Sequence, residues 1–195
     1  MEGVRRIYRL EKTLFNVLNQ DQYSFLEREK LKFGIKIILS EFYKLLLIYL
    51  AAFLLDCMFP TLITHLSFFL LRQVCLGYHF KSLFTCIGWS MVAFPIAIYY
   101  LADFYVNFSA ILLNIIFCIL LVSIYTLAPK GTKNQPVFSN AHREHLRRKM
   151  KVRLLLLVGV YFLCPIVVKF FIFYGLFLET IMLVLQSIKG EIKDE

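Results

Sequence analysis

Apolar residues run through this chain in blocks too long for a globular core, and polar residues collect between them. The blocks predict six helices, near Ile37 to Leu55, Pro60 to Leu71, Leu83 to Ala102, Phe104 to Leu127, Leu154 to Val168 and Phe170 to Ile188. A helix needs about 20 largely apolar residues to cross the hydrocarbon core, and no block alternates as a barrel strand does. The expected fold is all-α: a polytopic integral membrane protein of about six transmembrane helices. Two blocks are short. A dozen helical residues rise only about 18 Å, so the second span is expected to continue through Cys75 or to be broken or re-entrant. The fifth carries Pro165 inside it.

Ahead of the first block the pattern changes. Ile7, Leu10, Leu14, Val17 and Leu18 share one helical face opposite Arg5, Arg9 and Lys12, as in a helix lying on an anionic membrane surface. In "SFLE", Ser24 and Glu27 have the spacing of a capping box and predict a new helix start. Residues 1–36 lack an early apolar cleavage signal, which leaves insertion to the first span. No repeat, linker or low-complexity tract divides the chain. Residues 1–195 are expected to form one integral domain, with an amphipathic region over 1–33, a bundle over 34–188 and a tail over 189–195.

Composition agrees: 59% of the 195 residues are hydrophobic and 18% are charged. The net charge of +9 does not point to nucleic acid, because the cations flank apolar blocks instead of interleaving with aromatics on a soluble surface. Of the 22 Lys and Arg residues, all but Lys44 and Lys169 fall in segments that six crossings place on one side. The turns near Asp56 and Asp103 hold no cation, so both termini are expected in the cytoplasm. Lys169 is placed to snorkel. Lys44 either snorkels too or, with Glu41, faces a partner or cavity.

Candidate chemistry is sparse. Five scattered cysteines without a CxxC pair suggest neither a disulfide framework nor a zinc site, and no cofactor motif is present. The one pair worth weighing lies in "LGYHFKSLFTC", where His79 precedes Cys86 by seven residues. On one straight helix those residues stand about 10.5 Å apart along the axis and cannot form a dyad. A bend at Gly77 would let His79 fold back over the first turn of the third helix, where the dipole and an imidazolium both favour a thiolate. By spacing alone an interfacial histidine and a packed cysteine explain the pair as well, and Cys75 competes as the nucleophile. His65, His142 and His145 read as packing or solvated residues, with no metal site. A second distinctive stretch, "LAPKGTKNQPV", follows the fourth span as a Pro- and Gly-punctuated turn on the same expected side.

Arg72, Gly77, His79 and Cys86, followed by "APKGTKNQP", together resemble the accessory gene regulator protein B (AgrB) family of bacterial quorum-sensing membrane proteins, over nearly the whole chain. Leu76 and Phe80 are bulkier than the residues that family often carries there. The resemblance implies a cysteine endopeptidase of the bacterial cell membrane, with its active site on the cytoplasmic side and no cofactor, acting on an AgrD-like propeptide. Cys86 would be the nucleophile and His79 its base. Cleavage of the precursor's C-terminal tail would leave a thioester from which a thiolactone or lactone closes. Arg72 would hold the tail or the oxyanion, Gly77 shape the loop, and Thr132 or Asn134 orient His79. Lys130, Lys133, Arg147, Arg148 and Lys149 would attract an acidic tail from the side of an anionic membrane, and a homodimer is implied by the family alone. The rival reading is a small peptide exporter in which His79 and Cys86 only pack. Its polar path would have Glu41, Lys44, His65 and Asn114 as candidates.

Overall fold

The computed structural model describes residues 13–19, 22–80, 82–102, 104, 108–132, 137 and 139–189. Among them all regular structure is helical and no strand is present. The chain divides into two compact units, Met1–Leu50 and Ala51–Glu195.

In the first unit, residues 13–18 are helical (α1), whereas Arg5, Ile7, Arg9, Leu10 and Lys12 of the expected amphipathic helix lie outside the described residues. The capping box forms. Ser24 N–H donates to Glu27 Oε2 at 2.8 Å, Glu27 N–H donates to Ser24 Oγ at 3.4 Å, and α2 (Phe25–Leu54) starts one residue after the cap. These bonds satisfy two donors that a helix start otherwise leaves unpaired. α2 is longer than the 37–55 block because the Glu- and Lys-rich stretch before it has good helix propensity. Lys44 Nζ pairs with Glu41 one turn earlier, which offsets part of the cost of holding either charge on an apolar helix.

In the second unit, α3 (Met58–Cys75) carries the second span through Arg72 and on to Cys75, 18 residues in all. The third span is a rod of α4 (Leu83–Met91), a π-helical turn (Val92–Ile96) and α5 (Ala97–Leu101). Pro95 has no N–H to return to Met91, so the regular ladder cannot continue there and the register widens. Tyr174 Oη–H caps the Ala93 carbonyl at 3.0 Å, and the Cys57 thiol reaches the Pro95 carbonyl at 3.7 Å. α6 (Ala110–Leu127) starts later than expected at Phe104, with Ser109 in extended conformation ahead of it.

The fifth expected span needs correction. The basic segment before Leu154 is helical from Asn140, where Ser139 Oγ accepts the His142 N–H at 3.1 Å, and α7 (Asn140–Leu163) ends before Cys164. Cys164 is extended because it precedes proline, a position that disfavours the helical region. α8 (Ile166–Lys189) begins at once after Pro165. Five helices are long and apolar enough to cross a membrane: α2, α3, the α4–α5 rod, α6 and α8. α7 runs antiparallel to α6. Lys151 Nζ stands 5.7 Å from the Tyr125 ring near the end of α6, and Tyr161 stacks on Phe117 near its start. The protein is a multi-pass membrane protein.

α3 and α8 pack most intimately. Buried Thr61, Thr64, Ser67 and Leu71 line α3, and buried Phe171, Gly175, Glu179, Met182 and Gln186 line one stripe of α8. Thr64 Oγ1–H donates across the seam to Phe171 O at 3.2 Å. Small residues at such a contact let two backbones approach where lipid supplies no hydrophobic drive. That approach aligns the end of α3 with the last turns of α8.

Candidate active site

The segment between α3 and α4 does not continue either helix. Leu76 and Gly77 both have positive φ, 63° and 88°, so the chain turns sharply as soon as α3 ends. A Cβ at Gly77 would stand 2.9 Å from Arg72 Nη1 and 3.3 Å from the Met182 backbone. Glycine is needed there for its conformation and for its lack of volume. His79 therefore lies in a non-helical loop, half-buried, and Cys86 in the first turn of α4, where its N–H makes a helical bond to Ser82 O at 3.1 Å. The straight helix that would keep the two apart is absent.

Three segments frame this loop through main-chain bonds. Gly77 N–H donates to Lys130 O and Lys130 N–H to Cys75 O, each at 3.0 Å, so the two distinctive stretches of the sequence are joined as a short parallel bridge. Tyr78 N–H donates to Met182 O of α8 at 3.0 Å. Gln186 Nε2–H reaches Gly131 O at 3.2 Å, and Lys189 Nζ stands 4.7 Å from the Tyr78 ring. The bonds to Cys75 O, Lys130 O and Gly131 O fill carbonyls that a helix end or a loop would otherwise leave unpaired.

Arg72 completes the frame. Its guanidinium donates from Nη1 to Leu76 O and from Nη2 to Tyr78 O, a fork that grips the turn on both sides of Gly77. The sequence assigns this residue to the substrate tail or the oxyanion; here two of its nitrogens serve the loop itself. Its charge is opposed by Glu179 Oε2, 3.9 Å from Nη1.

The two candidate thiols differ in access. Cys75 is 0% exposed within the apolar core beside Leu71, Ile124 and Leu176, whereas Cys86 is half-exposed. A thiolate nucleophile has to be reached by its substrate, so burial disfavours Cys75. Thr132 is buried in the loop that carries Lys130; Lys133 and Asn134 lie outside the described residues. Arg147, Arg148 and Lys149 stand exposed on α7 between buried Leu146 and Met150. The same end of the unit gathers further cations, since Arg143 donates to Pro129 O at 3.4 Å and Arg153 to Leu70 O at 2.6 Å. His65 packs against the Phe94 ring at 4.9 Å, as expected of a packing residue. No group of three His, Cys, Asp or Glu able to hold a metal exists among the described residues.

Residues 9–187 match the family model described as Accessory gene regulator B. The chain belongs to this family. It is 32% identical over 168 residues, 85% of both chains, to accessory gene regulator protein B of Staphylococcus aureus (strain JH9). It is 30% identical over 159 residues to the protein of the same name from Staphylococcus lugdunensis, covering 82% of this chain and 79% of that one. No solved structure matches it. Membership in the accessory gene regulator B family implies a part in agr quorum sensing, in the processing of its autoinducer.

One residue of this family member escaped the sequence reading. Glu179 is fully buried in α8, and neither carboxylate oxygen has a hydrogen-bond partner among the described residues. The signal was available, since it is the only acidic residue of a 24-residue apolar helix. An ionisable group inside a membrane helix is costly and marks a function by default.

Proposed function

We propose that this protein is a membrane cysteine endopeptidase that removes the C-terminal tail of an AgrD-like propeptide and promotes closure of the autoinducing peptide ring. The observation that carries the reading is the turn at Leu76 and Gly77, which sets His79 in a loop ahead of the helix whose first turn bears the accessible Cys86. His79 takes the proton of the Cys86 thiol, and the sulfur attacks the scissile carbonyl carbon. When the tetrahedral intermediate collapses, the C–N bond breaks and the imidazolium returns its proton to the departing amine. The precursor remains as a thioester on Cys86.

A thioester keeps its acyl group activated. A Cys or Ser side chain of the bound precursor attacks it, its proton passes to His79, and Cys86 leaves as a thiolate. The product is a thiolactone or a lactone. Water has to be kept from the acyl-enzyme, which suits a loop braced against α8 at the end of the helices. The distribution of cations along the sequence supports a site and both termini on the cytoplasmic side, where Lys130, Lys133, Arg147, Arg148 and Lys149 draw in an acidic tail.

Membranes containing the protein, incubated with the adjacent-gene propeptide, should release its tail, and Cys86→Ala and His79→Ala should abolish release. Full activity in Cys86→Ala overturns the mechanism. Loss in Cys75→Ala alone moves the nucleophile. The exporter reading finds less support, because of its candidate residues Lys44 pairs with Glu41, His65 packs on the Phe94 ring and Asn114 accepts from Tyr161.

A further inference from the structure

We propose that Glu179 is a positioning residue for this chemistry: its carboxylate holds the Arg72 guanidinium against the Leu76 and Tyr78 carbonyls, and so sets the loop that carries His79. The inference rests on the peptidase reading and extends it to a residue on a different helix.

The geometry leaves Glu179 little else to do. It is 0% exposed, and among the described residues it accepts no hydrogen bond and has Arg72 as its ion-pair partner, at 3.9 Å. Packing alone does not explain it, because an apolar side chain of similar size would fill the seam between α3 and α8 without the cost of desolvating a carboxylate. The Arg72 guanidinium donates to the neutral Leu76 and Tyr78 carbonyls, and Glu179 brings an opposing charge to a cation largely withdrawn from water. The pair is matched by its framing. Gly175 lies one turn before Glu179 and Phe68 one turn before Arg72, so the close approach at Gly175 and Phe68 N delivers the two charges to the same level. The Arg72 guanidinium also stands 6.0 Å from the Phe68 ring, which favours its orientation. Met182, one turn beyond Glu179 on the same stripe, then accepts the Tyr78 N–H. α8 thus reaches the His79 loop through the Met182 carbonyl, through Lys189 over the Tyr78 ring and, by way of Glu179, through Arg72.

The test compares wild type, Glu179→Gln, Glu179→Asp and His79→Ala in purified full-length protein. Tail-release kinetics are read together with the pH profile of Cys86 alkylation, followed by peptide mapping. Glu179→Gln should lower kcat about tenfold to a hundredfold, the size of loss expected when a reacting group is displaced by about 1 Å. KM should stay within about twofold. Its Cys86 alkylation profile should move toward that of His79→Ala, and Glu179→Asp should recover part of both. A purely structural residue would lower yield and melting temperature but leave the profile of the folded fraction unchanged. If Glu179→Gln folds and keeps the wild-type kcat and profile, the inference is overturned; if it does not fold, the same result in Glu179→Asp overturns it. If His79→Ala itself leaves the profile and tail release unchanged, the peptidase reading fails first, whatever Glu179 does.

Discussion

A Cβ built on Gly175 would stand 2.8 Å from the Ser67 Cβ and 2.8 Å from the Thr64 carbonyl oxygen. α3 and α8 are therefore as close at this level as their backbones permit. The end that carries the His79 loop inherits that spacing. One turn further along each helix come Arg72 and Glu179, and one further turn brings Met182 to the Tyr78 N–H.

Gly175→Ala should force the helices apart, because one obstacle is backbone and cannot rotate away. Overpacking of this kind costs about 1–3 kcal/mol. We expect a lower melting temperature in detergent and reduced tail release, both worse in Gly175→Leu. Gly159→Ala, where nothing lies within 4 Å of the new methyl, should leave both measurements at or slightly above wild type.

Gly77→Ala should act more locally. The φ of 88° costs an L-residue about 1–2 kcal/mol, and the methyl would push on Arg72 Nη1 at 2.9 Å. Tail release should fall by about tenfold or more for a displaced loop, with the melting temperature changed less than in Gly175→Leu. A Gly77→Ala protein of wild-type activity would remove the bend from the argument.

Tyr161→Phe deletes the 2.8 Å hydrogen bond to Asn114 Oδ1 while keeping the ring stacked on Phe117 at 3.7 Å. Side-chain hydrogen bonds between membrane helices contribute about 0.6 kcal/mol on average and about 1.7 at most. Asn114→Ala should cost a similar amount, and the double variant should cost less than the two losses added. Activity per folded molecule should not change in any of them.

Reversing Arg147, Arg148 and Lys149 to Glu should raise KM for an acidic-tailed propeptide about tenfold and leave kcat within about twofold, with the effect shrinking at high salt. These side chains are exposed on α7 between its buried Leu146 and Met150, so the melting temperature should hold. Equal processing by wild type and the triple variant at low salt would dismiss the tail-capture role.

The apolar blocks made most of the helices legible, and Ser24 with Glu27 made the start of α2 so. The end of α3 at Cys75 was one of the alternatives that the short second block left open; the block alone did not choose it, because Arg72 interrupts the apolar run while its guanidinium folds onto the turn that the helix itself produces. The start of α7 was hidden by charge: the segment from Asn140 to Arg153 reads as a loop by polarity, although its buried Leu146, Met150 and Leu154 keep a helical interval. Gly77 could be named as a bend from the one sequence. Its reason could not, since the crowding comes from the folded-back Arg72 guanidinium and from Met182, on another helix. Glu179 had a local signal without a local partner. Its meaning depends on a tertiary contact with α3, which no window of sequence contains.

The seam between Leu76 and Lys130 is sewn by main-chain atoms, Gly77 N–H to Lys130 O and Lys130 N–H to Cys75 O. Such stitching is blind to side-chain identity except where a residue must accept a left-handed turn, as Leu76 and Gly77 do. The Tyr78 and Phe80 rings meet each other, Lys189 and Trp89 instead, and take no part in that main-chain seam. An exchange of side chain at these positions consequently leaves the two stitches between Cys75, Gly77 and Lys130 in place.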